Sequence, residues 1–152
     1  MILKILELVS IVLSALVTGV FWGPWVGLTK SIATFEPEVF LAIGYRLNRN
    51  LEPLMTVLVP AAMVSIVLVM IVSRGERQET FYLTSAGFLL FVVSVLVTVV
   101  IEVPIAKQIR SWTLSTLPGN WRQLRDRWAS VHISRVVAGI AGLSFVAAGV
   151  IF

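Results

Sequence analysis

Four stretches of this chain carry no charged residue: Leu8–Val26, Leu54–Val72, Phe81–Ile101 and Val136–Phe152. The first three run for 19, 19 and 21 residues, and the last for 17. A helix needs roughly 20 apolar residues to cross a bilayer core of about 30 Å. Three runs meet that length and the fourth falls a few residues short. A closed β-barrel is the other structure able to span a membrane, but its strands alternate apolar and polar residues, and these runs do not. The pattern predicts an all-α fold, an integral membrane four-helix bundle forming a single transmembrane domain over residues 1–152. Its spans are expected at about 5–26, 52–73, 81–102 and 134–152. The first run does not read as a signal peptide. It is long and continues into Phe21, Trp22 and Trp25 with no clear small-residue cleavage site.

Composition agrees. Only 13% of residues are charged and 58% are hydrophobic, whereas a soluble domain carries about a quarter charged residues. That excludes an ordinary soluble enzyme, a disordered chain and a collagen-like repeat. The net charge of +4 is better read as an orientation signal than as a footprint for nucleic acid. With no cysteine, disulfides, thiolate metal sites and cysteine nucleophiles are excluded.

The links between runs are unequal. Ser73–Thr80 is a tight turn, while Gly27–Pro53 and Glu102–Arg135 are long. Thr34, or Glu36 just before Pro37, is suited to cap a helix bearing Phe40, Ile43, Leu47 and Leu51 on one face. Pro118 and Asn120 are suited to start another, with Trp121, Leu124, Trp128 and Val131 on one face. Both should run on into the second and fourth spans, extending those helices beyond the bilayer on one side. Pro24, Pro53, Pro60 and Pro104 mark kinks or helix ends. The long links and their flanks hold nine Lys and Arg residues, against Lys4, Arg74 and Arg77 on the other side. By the positive-inside rule, a cell-membrane protein of this kind has its long links in the cytoplasm and both termini outside.

All five tryptophans fall at the basic end, together with the single histidine, His132. They form either an interfacial belt on one leaflet or the mouth of a pocket. Helical spacing gives each span one polar stripe. Arg125, Trp128, His132 and Arg135 are three, four and three apart, and the stripe continues into Gly139 and Gly142, which allow close packing. Ser94, Thr98 and Glu102 are four apart, as are Asn48, Glu52 and Thr56, and Ser10, Ser14, Thr18 and Trp22. An ionisable group at the membrane boundary usually faces the bundle interior and needs a partner. Arg135, His132 and Arg49 are the partners on offer to Glu102 and Glu52. Such a cluster is either an ion pair joining helices or a proton-handling site, with Glu102 or His132 as base and Arg135 holding an anionic oxygen. No metal is expected. There is no Glu-x-x-His pair, and one histidine excludes bis-histidine haem ligation within one chain. No Walker motif, nucleophile elbow or G-x-G-x-x-G occurs.

Several short motifs together resemble a known family. They are Thr18-Gly19-Val20-Phe21-Trp22-Gly23-Pro24, Arg46-Leu47-Asn48, Pro53-Leu54-Met55, Val103-Pro104-Ile105, Trp112-Thr113, and Trp121 with Arg125-Asp126-Arg127-Trp128 running on to His132 and Arg135. They resemble the anthrone-oxygenase-like family of small four-span membrane proteins. The resemblance implies an oxygenase-like oxidoreductase that works without a cofactor and oxidises a hydrophobic, phenolic aromatic substrate entering from the membrane. Where relatives carry asparagine beside the proline after the third helix, and again shortly behind it, this chain reads Glu102-Val103-Pro104 and Ala106-Lys107. Carried onto this chain, the chemistry would fall to Glu102, His132 and Arg135. Trp22, Asn48, Glu52, Trp112 and Trp128 would bind the aromatic ligand. A reading from another class stands beside it: a non-catalytic membrane protein that binds a lipid, quinone or partner subunit in the same pocket. The lipid bilayer is the expected environment. Ala138, Gly139, Gly142 and Ala148 allow packing within the chain or in a homo-oligomer.

Overall fold

The computed structural model describes residues 2–75 and 77–152, so Glu76 of the tight turn lies outside the described residues. The chain is all-helical. Helix α1 spans Ile2–Pro24 and widens into a π-turn at Trp25–Thr29. A 3-10 turn at Ile32–Thr34 leads to α2, Pro37–Ser73, whose N-cap is Glu36 and whose first turn holds Pro37, a residue with no N–H to waste there. Helix α3, Gln78–Val97, passes through a second π-turn at Thr98–Glu102 into α4, Val103–Ser111. Helix α5, Trp121–Ile151, follows Asn120. Four of these helical stretches, with their π-turns, are long and apolar enough to cross a membrane.

At 1.5 Å per residue, the 37-residue α2 and the 31-residue α5 are about 55 and 46 Å long. Both outrun a bilayer core at the basic end, as the sequence predicts. The third span does the same, which the sequence reading missed: it continues without a break from Gln78 to Ser111. Pro104 is the reason it was missed. Proline sits at the start of α4, where its absent N–H and fixed φ are tolerated, so the rod bends its hydrogen-bonding pattern and does not stop.

Polarity is inverted relative to a soluble domain. Leu16, Val57, Leu89 and Val137 are exposed, while Ser10, Ser14, Thr18, Thr80, Thr84 and Ser94 are buried. Only a surrounding hydrocarbon makes that arrangement stable, and the chain is a multi-pass membrane protein. Glycines set the tightest crossing. A Cβ on Gly87 would lie 2.8 Å from the Gly142 carbonyl oxygen, and one on Gly149 would lie 3.0 Å from Thr84. Helices α3 and α5 therefore touch backbone to backbone.

Two apolar cores result. One, built on Val17, Phe21, Ile66, Phe91 and Val146, lies within the spans. The other, built on Ile32, Phe40, Ile105, Ile109 and Trp121, lies in the projecting end. The candidate site sits where the two meet.

Candidate functional site

The site begins with the phase of α3. Two successive steps of four, from Ser94 to Thr98 to Glu102, would carry a straight helix about 80° off its buried face. The π-turn at Thr98–Glu102 absorbs the extra residue, so Ser94, Glu102, Ile105 and Ile109 all remain buried. Inside that turn the Thr98 hydroxyl donates to the Ser94 carbonyl at 2.8 Å. In α1 no such correction occurs after Thr18, so the buried position passes to Phe21 and Trp22 turns outward.

Three ionisable side chains meet between the two cores. His132 is 1% exposed. Its Nε2 lies 3.0 Å from the Phe21 carbonyl oxygen, which can only accept, so Nε2 carries the hydrogen. Its Nδ1 lies 3.2 Å from Glu102 Oε1 and 2.9 Å from Arg135 Nη2. With the ring neutral, Nδ1 accepts from the guanidinium. Arg135 also forms a salt bridge with Glu102 Oε2 and reaches the Thr98 hydroxyl at 3.4 Å. The guanidinium carbon stands 4.4 Å above the Phe21 ring, a cation–π placement that strengthens as water is excluded. Trp128 covers His132, with ring centres 5.3 Å apart and planes 17° apart. One carboxylate and one guanidinium leave the cluster neutral overall, which makes its burial tolerable. Among the described residues, Arg135 Nε and Ser94 Oγ are buried here without a hydrogen-bond partner.

The cluster faces a cavity of about 410 Å3. Met55, Thr56, Val59 and Pro60 of α2 and Val95 and Val99 of the third span line it. Several of these, Thr56, Pro60 and Val99 among them, are also exposed on the outer surface. The cavity therefore opens sideways between α2 and the third span, at the level of the hydrocarbon. Glu52 and Arg110 form a salt bridge between α2 and α4 at its edge.

Of the residues singled out in the sequence, Glu102, His132, Arg135, Asn48, Glu52 and Trp128 line this one cavity. Trp22 and Trp112 do not. Trp22 is 45% exposed and packs on Trp25. Trp112 packs against the projecting core. Glu52 pairs with Arg110 and not with Arg49. Arg125 shares the buried face of α5 but joins a different structure: its guanidinium binds Asp126 at 2.8 Å and the Ala33 carbonyl at 3.3 Å, under Trp121. It fastens the link before α2 to α5. Two elements of the site escaped the sequence reading. The Phe21 carbonyl has no sequence signature. Arg110 has one, since Glu102, Ala106 and Arg110 continue the four-residue stripe past Pro104, where a helix end was expected. Among the described residues no three His, Asp or Glu side chains gather to hold a metal ion.

A family model described as anthrone oxygenase matches residues 52–145. The chain belongs to the anthrone oxygenase family. The match covers more than half of the 152 residues and includes Glu52, Glu102, Arg110, Trp128, His132 and Arg135. No curated protein and no solved structure matches the chain. Family membership thus takes in the whole charged cluster, whereas Phe21 and Asn48 lie outside the matched segment.

Chemically, the cluster can do two things. A carboxylate and an imidazole lone pair 3.2 Å apart can share one incoming proton. The Arg135 guanidinium, which borders the cavity, can hold a developing oxyanion.

Proposed function

We propose that the protein is a cofactor-independent, oxygenase-like oxidoreductase acting on a hydrophobic, phenolic aromatic substrate, an anthrone or a close relative. The observation that carries this reading is the neutral Glu102–His132–Arg135 cluster, buried against a largely apolar cavity that opens toward lipid. On the scale of about 10–15 Å3 per water-sized group, a cavity of about 410 Å3 holds on the order of thirty heavy atoms, ample for three fused rings. The substrate arrives through the side opening between α2 and the third span. Arg135 binds its oxygen and stabilises the enolate or phenolate. Glu102 takes the proton, and His132 Nδ1 accepts it in turn. His132 is almost wholly enclosed, so it acts through Glu102 and Arg135, not by touching the ring. The substrate anion is then oxidised by dioxygen. For an anthrone, the ring CH2 becomes a carbonyl and one water leaves, so one dioxygen is consumed per product. Asn48, Glu52 and Trp128 shape the binding wall. Trp22 and Trp112 contribute only at the interface.

The sideways opening also suits a bound quinone or lipid without turnover, and one assay separates the two readings. Purified protein in lipid nanodiscs is given 1,8-dihydroxyanthrone in air, and oxygen uptake and quinone absorbance are followed together. The expected result is turnover above the protein-free rate with one oxygen per quinone, reduced about 10²-fold or more in Glu102→Gln and Arg135→Gln. A rate equal to the protein-free control, with saturable binding retained, refutes the enzyme and leaves a binding protein. Orientation belongs to the same proposal: the long links lie in the cytoplasm and both termini outside. Single cysteines placed in this cysteine-free chain and labelled from one side of intact cells test it.

A further inference from the structure

Beside the main cavity lies a second, smaller chamber of about 50 Å3. Ile32, Phe35, Phe40, Ile43 and Ile109 wall it, and at Gly44 the wall lacks a side chain. The two spaces share Leu47, Asn48, Ala106 and Trp128. Trp128, at the shared boundary, stacks on His132. The chamber belongs to the projecting end of the bundle, beyond the uncharged runs. A Cβ built on Gly44 would meet Ile109 Cγ2 at 3.6 Å, an ordinary contact. Packing therefore does not require glycine there, and the space stays open because position 44 has no side chain.

We infer that this chamber is a specificity pocket that receives a short apolar substituent of the same ligand whose oxygen lies at Arg135. The inference rests on the proposed binding site. On the scale of about 10–15 Å3 per group, the chamber takes roughly four heavy atoms, a propyl or butyl arm. Among its lining side chains only Asn48 and the Trp128 indole carry polar groups and none is charged, so a charged arm is disfavoured. The ligand class is then an aromatic with an acidic oxygen at one end and a small alkyl arm at the other.

The test uses stable product-like probes, 1,8-dihydroxyanthraquinones bearing hydrogen, methyl, propyl, butyl or hexyl at carbon 3. Their dissociation constants are read in nanodiscs from quenching of tryptophan fluorescence. Longer arms also partition better into lipid, so each value is taken as a ratio between the natural protein and Gly44→Leu in the same nanodiscs. The ratio should be near one without an arm and rise about fourfold per buried methylene up to propyl or butyl. Ile109→Ala, which enlarges the chamber, should shift the best arm toward hexyl, a gain that misfolding cannot produce. A ratio that does not vary with arm length, or an optimum that Ile109→Ala leaves unchanged, overturns the inference. Arg135→Gln should weaken every probe by the same factor. If it weakens none while the arm dependence persists, the proposed oxygen site is wrong and the chamber stands. If no probe binds saturably, both fall.

Discussion

Replacing Glu102 with Gln removes the one carboxylate that neutralises Arg135. In the native protein the Glu102 side chain is 6% exposed and that of Arg135 14%. Truncating one member of a buried ion pair costs about 3–5 kcal/mol, because the other charge remains in low dielectric without a partner. Arg135 keeps the Thr98 hydroxyl, His132 Nδ1 and the face of Phe21, and it borders the cavity, so the lower figure of about 3 kcal/mol is expected. Arg135→Met strands the Glu102 carboxylate in turn, but His132 lies 3.2 Å away and can take a proton to pair with it, so about 2 kcal/mol is expected. The double variant removes both charges and should cost only about 2 kcal/mol, most of it lost packing over Phe21. The coupling is then about 3 kcal/mol. Unfolding is followed by circular dichroism in dodecylmaltoside, with heat and with added SDS. At roughly 2–4 °C per kcal/mol, Glu102→Gln should melt about 6–12 °C early, and the double variant should recover part of that. A Glu102→Gln shift equivalent to under about 0.5 kcal/mol, or additive single effects, would show that the three side chains do not form one charged unit. The proton-sharing argument would then lose its basis.

Other perturbations test the remaining parts. Gly87→Ala must push α3 off α5, since the new carbon would lie 2.8 Å from both the Gly142 oxygen and Val146; a loss of about 1–3 kcal/mol is expected in the same unfolding assay. Gly19→Ala meets nothing within 4 Å and should stabilise by about 0.5–1 kcal/mol, so equal effects at the two glycines would contradict the packing described. At the opposite end of the bundle, Arg77 binds buried Glu7 at 2.9 Å while itself 36% exposed. Arg77→Gln, which strands the buried carboxylate, should therefore cost clearly more in melting temperature than Glu7→Gln, which leaves a cation able to reach water. Glu52→Gln breaks the Arg110 pair at a site that is 54% exposed and should move stability by under about 1 kcal/mol, with any effect shrinking in high salt.

The four spans, the helix starts after Glu36 and Asn120 and the extension of the second and fourth helices were legible because they depend on local pattern: length without charge, a proline at the first turn, apolar residues on one face. Neither Glu36 nor Asn120 makes a side-chain capping bond. The meeting of Glu102, His132 and Arg135 was legible because each lies on a stripe spaced by three or four residues, and buried charge in a membrane must find opposite charge. What was not legible depended on phase and on backbone. Steps of four overshoot a helical turn by about 40° each, so a stripe read as Ser10, Ser14, Thr18, Trp22 ends with Trp22 outside and Phe21 inside. The same arithmetic would have removed Glu102 from its face had the π-turn not intervened, and no residue in Thr98–Glu102 announces that turn. The Glu7–Arg77 pair went unread because both residues lie outside or at the margin of an uncharged run, where charge was taken for orientation alone.

The two π-turns, Trp25–Thr29 and Thr98–Glu102, supply the last step. Wide turns cost hydrogen-bond quality, and in a membrane each unsatisfied backbone group is expensive unless it lines a cavity or meets a side chain. Both turns here occur at the basic end, one just after the Phe21 carbonyl that holds His132 and the other ending on Glu102 itself. Among the described residues the opposite end has none: Glu7 lies in regular α1, and Arg77 at the N-cap of α3. The Glu102–Arg135 pair is built on distorted backbone; it and the Glu52–Arg110 pair border the large cavity, whereas Glu7–Arg77 does not. A contact that merely fastens elements forms without a wide turn, as between Glu7 in α1 and Arg77 at the N-cap of α3. The wide turn at Thr98–Glu102 keeps the Glu102 carboxylate beside His132 and Arg135 at the cavity wall, and that asymmetry supports the proposed ligand site over a mere clamp between helices.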